Sequence, residues 1–269
     1  MDHNVLYAFL LTLLAGLSTA IGSLIAFFTK TTNKKFISVT LGFSAGVMIY
    51  VSMVEILPDS KMQLTSLLGA KLGAFVAAAS FFGGIFIMAL VDKLIPSYEN
   101  PHEVHGVEEL SLPMKKITTC KLMRTGKLVA IGITIHNFPE GIATFSSALH
   151  SVTLGLPIAL AIALHNIPEG ISVSIPIYCA TGSKRKAFFY SMLSGLSEPL
   201  GAVIAYFTVI RFLNGPIFGI MFAAVAGIMV FISFDELLPA SREFGEHHLS
   251  IYGLVTGMLV MALSMFLFI

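Results

Sequence analysis

Long, nearly unbroken apolar runs alternate along the chain with short polar stretches, and the runs have the length of membrane helices. A hydrocarbon layer about 30 Å thick takes roughly 20 apolar residues per helical crossing. Eight segments reach that length: Val5–Phe28, Phe36–Leu57, Ala70–Val91, Leu128–Leu149, Leu154–Ile177, Ala187–Ile210, Ile217–Leu238 and Ile251–Phe268. The period-two alternation of a membrane barrel is absent. The pattern predicts an all-α polytopic membrane protein with eight transmembrane helices, one domain over 1–269, and a long loop over about 92–126. The first run has no basic stretch before it and is longer than a signal-peptide core, so it is expected to be a retained helix.

Composition sharpens this picture by exclusion. Hydrophobic residues make up 56% of the 269 and charged residues 12%, with a net charge of +1 and a mean hydropathy of +0.87. Those values exclude an ordinary soluble enzyme, a disordered tail and a basic nucleic-acid binder. Two cysteines, Cys120 and Cys179, do not make a disulfide scaffold. Lys and Arg favour cytoplasmic loops. One set of alternate loops holds thirteen: Lys30, Lys34, Lys35, Lys93, Lys115, Lys116, Lys121, Arg124, Lys127, Lys184, Arg185, Lys186 and Arg242. The other set holds Lys61, Lys71 and Arg211. The bias predicts a multi-pass protein of the cell membrane with both termini outside and the 92–126 loop in the cytoplasm.

Two internal repeats follow. GVMIYVSMVEILPDS over 46–60 matches GIMVFISFDELLPAS over 227–241 without a gap. By the predicted topology these segments cross in opposite directions, so the chain reads as a 3+2+3 arrangement with an inverted repeat, a symmetry used for alternating access. The central pair carries the second repeat, His136-Asn-Phe-Pro-Glu-Gly-Ile142 and His165-Asn-Ile-Pro-Glu-Gly-Ile171.

His136 and Glu140, like His165 and Glu169, are four residues apart and project from one helix face. Glu198 adds a third carboxylate at similar depth, and no Lys or Arg lies at that depth in the predicted apolar spans. A charge at a helix centre costs roughly 2.5–3.5 kcal/mol, so the three must be protonated, hydrated or cation-bound. Imidazole beside carboxylate suits a first-row divalent metal, Zn²⁺ above all, and the Asn137 and Asn166 amides offer oxygens for a second position. Pro139 and Pro168 free the carbonyls of Ile135 and Leu164, while Gly141 and Gly170 allow a second backbone to come close. Either motif alone leaves a hydrogen-bonded packing device as the lesser reading; both with Glu198 favour a metal site.

Four further acids sit near predicted helix ends. Glu55 and Asp59 are placed at the outer mouth of a pathway, Asp235 and Glu236 at the inner one; as solvated helix-end acids they would need no such role. The 101–109 stretch, PHEVHGVEE, reads as a solvated loop or a weak metal tract, and Glu246, His247 and His248 carry the same two readings.

The paired HNFPEG and HNIPEG motifs with the following Ser197-Glu198-Pro199 resemble the ZIP (Zrt-, Irt-like) family of divalent metal transporters, and most the bacterial zinc-uptake permeases of the ZupT type. The resemblance spans essentially the whole chain. It implies one metal site from His136, Glu140, His165 and Glu169, and a neighbouring one from Asn137, Asn166, the bridging glutamates and Glu198. It also places Asp235 and Glu236 near a cytoplasmic exit. Many members carry a HEIPHE-like motif in the fifth helix where this chain has HNIPEG, a departure that fits the bacterial branch.

The expected function is import of Zn²⁺, with Fe²⁺, Mn²⁺, Co²⁺ and Cd²⁺ as further candidate cargo. The metal is a transported substrate, not a cofactor, and the protein is not an enzyme. Its expected partners are the metal ions and the lipid bilayer, with a homodimer open as an arrangement and no nucleic acid. No Gly-x₄-Gly-Lys-Ser/Thr phosphate loop is present to harness ATP. A metal exporter, a cation channel and an intramembrane metalloenzyme are the rival readings. The last lacks the HExxH glutamate, because Asn stands in its place.

Overall fold

The computed structural model describes residues 3–27, 34–94, 114–150, 152–209, 216–243 and 247–267. It comprises eight long helices, and no strand occurs among the described residues. These are α1 (His3–Ala26), α2 (34–68), α3 (Ala70–Leu94), α4 (Met114–His150), α5 (Val152–Thr181), α6 (184–209), α7 (216–243) and α8 (His247–Leu267). Seven are long and apolar enough to cross a bilayer. The remaining one, α4, has a basic first half, and its apolar stretch over 128–149 spans about 33 Å at about 1.5 Å per residue. The chain is thus a polytopic all-α membrane protein.

Backbone chemistry sets several ends. Gly69, at φ +84°, separates α2 from α3, and Gly182, at φ +66°, closes α5; both take a left-handed conformation that glycine adopts without steric cost. Ser183 then caps α6, its Oγ accepting from the Lys186 amide at 3.3 Å. Within α6 the helix breaks at Leu196, between Lys184–Gly195 and Ser197–Ile204, which starts a fresh helical turn at Glu198 and Pro199.

Two expectations need correction. Glu55 does not close the second helix: α2 continues to Leu68, and Glu55 lies inside a π-helical turn, Val51–Ile56. Pro58 explains the turn, since it lacks an N–H and crowds the carbonyl four residues back, and widening the ladder relieves both. Nor does the third loop reach Gly126. Helix α3 ends at Leu94 and α4 starts at Met114, so Arg124 is a helical residue with no exposure at all, not a loop charge. Hydropathy detects the part of a helix that lipid covers, and the basic turns of α4 lie outside that criterion.

The repeat is preserved in detail. Ser233–Leu237 of α7 forms the matching π-helical turn, again just before a proline, Pro239. Ser52 Oγ donates to the Met48 carbonyl at 2.7 Å, and its repeat mate Ser233 donates to Met229 at the same distance.

The helices sort into two groups. One joins α1, α4, α5 and α6; in the other, α2 packs on α8 and α3 on α7. Small residues permit these approaches. Gly46 lies on the backbone of Leu254, Gly227 on that of Phe81, and Gly170 on that of Thr19 and Gly22.

Candidate metal centre

Helix α4 carries His136, Asn137 and Glu140; α5 carries His165, Asn166 and Glu169; the restarted turn of α6 carries Glu198. All seven are buried, the most exposed being His165 at 6%. Close helix approach brings them together. Gly141 lies against the backbone of Glu198, and Gly201 against the carbonyl of Phe138, so α4 and α6 meet at the level of the carboxylates.

Glu140 Oε1 is shared between both histidines, at 3.1 Å from His136 Nε2 and 3.1 Å from His165 Nε2. Glu169 Oε1 lies 3.3 Å from His136 Nε2. Ligand atoms of His136, His165 and Glu169 all fall within 4.8 Å of one another. The Asn137 amide nitrogen, oriented by its neighbours, donates to the Ile133 carbonyl at 3.1 Å and to Glu169 Oε2 at 3.2 Å. Glu169 therefore bridges the histidine cluster and the asparagine side. Asn166 Nδ2 donates to the Ala15 carbonyl of α1 at 2.9 Å and also to Glu198 Oε1.

Hydrogen bonding inside the protein does not satisfy this cluster. Among the described residues, ten buried side-chain N and O atoms make no well-formed hydrogen bond, and seven belong here: His136 Nδ1, Glu140 Oε2, His165 Nδ1, Asn166 Oδ1 and Glu198 Oε2 stand bare, while His136 Nε2 and Glu169 Oε1 have only their ion-pair contacts. Buried polar groups are otherwise nearly always paired, because leaving one bare costs about 1–3 kcal/mol. Most of these atoms are lone-pair donors, an arrangement chemically suited to surrounding a cation.

A cavity of about 450 Å³ reaches the cluster from the end of the bundle where α2 finishes and α4 finishes. Its floor holds Glu140, His165 and Val51; Glu55 stands above them, then Asp59 and Gln63, with Ala143 and Ser147 of α4 opposite. Its remaining walls include Phe222 of α7 and Met261 and Met265 of α8. It therefore lies along the seam between the two helix groups. Glu55 and Asp59 both line it, whereas Asp235 and Glu236 lie at the opposite end.

Three features escaped the sequence reading. The Ala15 carbonyl orients Asn166, Ser44 Oγ of α2 donates to the carbonyl of the motif proline Pro168 at 2.8 Å, and the buried Glu236 is not a free helix-end acid. Glu236 Oε1 accepts from Arg124 Nη1 at 3.0 Å, and the same guanidinium pairs with Asp92 of α3. Long-range pairing of this kind leaves no local signal. The 101–109 stretch and Glu246 lie outside the described residues, as do the side chains of Cys120 and His247; His248 is exposed and stacks on Tyr252.

Comparison with known proteins bears on the whole chain. A family profile described as ZIP zinc transporter matches residues 99–265. A zinc transporter ZupT of Streptococcus mutans is 61% identical over 269 residues, covering all of both chains. Those of Clostridium perfringens and Chlorobium chlorochromatii are 59% and 58% identical, the first covering 99% of this chain and 98% of the relative, the second all of both. With the doubled motif, the eight helices and these matches in agreement, the chain belongs to the ZIP family of zinc transporters.

Proposed function

We propose that the protein imports divalent metal ions, chiefly Zn²⁺, from outside the cell to the cytoplasm through the cluster on α4, α5 and α6. The observation that carries this reading is a buried cluster of polar atoms that hydrogen bonding leaves unsatisfied, reached by an open cavity at Glu140 and His165. His136, Glu140, His165 and Glu169 form the first cation position. Asn137, Asn166, Glu169 and Glu198 flank a second, with Glu169 common to both.

Sidedness follows from charge, whereas import over export is favoured only by the family likeness. The cavity opens at the end of the bundle that carries Lys61 and Lys71, while exposed Lys93, Lys184, Arg185, Lys186 and Arg242 lie at the other. Even without Arg124, the basic bias puts the open end outside. Asp59 and Glu55 form a descending line of carboxylates that draws a hydrated cation inward, and each step exchanges water for fixed oxygen and nitrogen. The zinc named in the relatives fits the histidine-rich first position. Fe²⁺, Mn²⁺, Co²⁺ and Cd²⁺ accept the same mixed donors and compete for it.

The test is uptake of radioactive zinc by proteoliposomes. Glu140→Ala removes the oxygen shared by both histidines, and uptake at limiting zinc should fall by at least about tenfold. Unchanged uptake would remove the cluster from the pathway.

A further inference from the structure

Arg124 lies twelve residues before His136 on α4, about 18 Å along the axis and away from the open cavity. It is the largest fully buried side chain among the described residues. Its two partners belong to the other helix group: Asp92 in the last turns of α3 and Glu236 in the π-helical turn of α7. Between Arg124 and the metal cluster the same seam is sealed by apolar contact, with Ile232 and Ile228 of α7 pressed on Gly132 of α4. The seam between the groups is thus open as a cavity at one end and bolted by an ion triad at the other.

The repeat gives this asymmetry a meaning. Glu55 and Glu236 occupy matching positions of the repeat, in equivalent π-helical turns. Glu55 faces the open cavity, whereas Glu236 is held by a guanidinium. In an inverted repeat, the two halves exchange such environments when access switches sides. A cation leaving at the Arg124 end requires the seam to part there, and the Arg124 guanidinium crosses it to Asp92 and Glu236.

We propose that Arg124 is the bolt of the inner gate: its contacts to Asp92 and Glu236 hold the exit shut while the outer cavity is open, and they must break for release. This rests on the transport reading above only for its purpose; the bolt itself is a statement about which end of the seam is closed. Buried charge suits the role, because the pair is favourable only while complete, so that separating the helices is resisted until both partners let go.

The experiment measures access, not transport. In full-length protein carrying Cys120→Ser and Cys179→Ser, Val129→Cys places a thiol two turns before His136 on the same face of α4, at a residue with no exposure. A membrane-impermeant maleimide is applied to vesicles of each orientation. With Arg124 present, labelling from the Arg124 side is slow. Arg124→Gln should speed it roughly tenfold by shifting the population toward the parted seam, and Arg124→Lys, which keeps a cation, should stay within about threefold of the parent. Should Arg124→Gln fail to accumulate in the membrane, Asp92→Asn, which leaves the Glu236 contact, decides by the same rate. An unchanged rate in whichever variant is measured overturns the bolt. Zinc uptake by the parent is measured alongside. No uptake there would sink the transport reading and leave the labelling result standing, whereas intact uptake with unchanged labelling sinks the bolt alone.

Discussion

Ser60 and Ser241 make the same hydrogen bond from opposite halves of the chain. Ser60 Oγ of α2 donates to the Gly219 carbonyl of α7 at 2.5 Å, and Ser241 Oγ of α7 donates to the Ser38 carbonyl of α2 at 2.6 Å. The two donors are repeat mates, and the two acceptors, Ser38 and Gly219, keep the same register. The sequence repeat is therefore a pseudo-twofold relation in three dimensions, and α2 and α7 are clasped at both ends by equivalent bonds.

Equivalent bonds should have similar weight. Ser60→Ala deletes one buried hydroxyl donor and should lower stability by about 1 kcal/mol, and Ser241→Ala, which also removes the contact to Ser250 Oγ at 2.8 Å, should cost at least as much. Thermal unfolding in detergent measures both. A shift in one variant with none in the other would show that the two clasps are alike in geometry and unlike in energy.

Gly141→Ala tests the approach of α4 to α6. An added Cβ would meet the carbonyl, C and Cα of Glu198, which are backbone atoms that cannot swing aside. The helices would have to separate, at a cost of about 1–3 kcal/mol, and Glu198 would withdraw from Asn166. Reduced melting temperature and weakened zinc binding are expected together. Gly83→Ala is the control, because nothing lies within 4 Å of its added Cβ. If Gly141→Ala melted and bound zinc like Gly83→Ala, close helix approach would not be what positions Glu198.

How much of this was legible depended on how local the signal was. Eight apolar runs revealed eight helices because lipid demands length and composition, both of which are local. The paired His-x₃-Glu motifs declared one helix face by spacing alone. Nothing local told that α4 begins at Met114, since its first turns are as polar as a loop. Arg124 looked like one more basic loop residue until tertiary packing placed Asp92 and Glu236 around it. The two π-helical turns did leave a trace, in the shared serine and proline of the repeat, but the trace gives no geometry until a structure supplies it.

Asn166 separates support from ligation. Its amide holds the Ala15 carbonyl with one hydrogen and Glu198 with the other, leaving Oδ1 unpartnered. Asn166→Asp removes both donated bonds and sets a second carboxylate beside Glu198. Without metal the variant should be less stable than the parent by about 2 kcal/mol. Saturating zinc neutralises the added charge and stabilises the bound state by mass action, so its zinc-induced rise in melting temperature should exceed the parent's. Equal rises would place Asn166 outside the reach of the metal.

Zinc binding should also release protons. A metal ion takes imidazole and carboxylate ligands only in their deprotonated forms, so protons compete with zinc wherever those ligands are histidines and glutamates. His136 and His165 both present Nε2 to Glu140, and neither nitrogen can hold a proton and a metal together. Acidification from about pH 7.5 to about pH 5.5 should weaken zinc binding by at least about tenfold, with roughly one or more protons released per ion. Calorimetry in buffers of different ionisation enthalpy counts those protons. His136→Gln keeps a polar side chain of similar reach with no titrating group, so it should bind more weakly at neutral pH and lose less on acidification. A parent affinity that stayed constant across this range would mean that zinc meets neither histidine in the cluster.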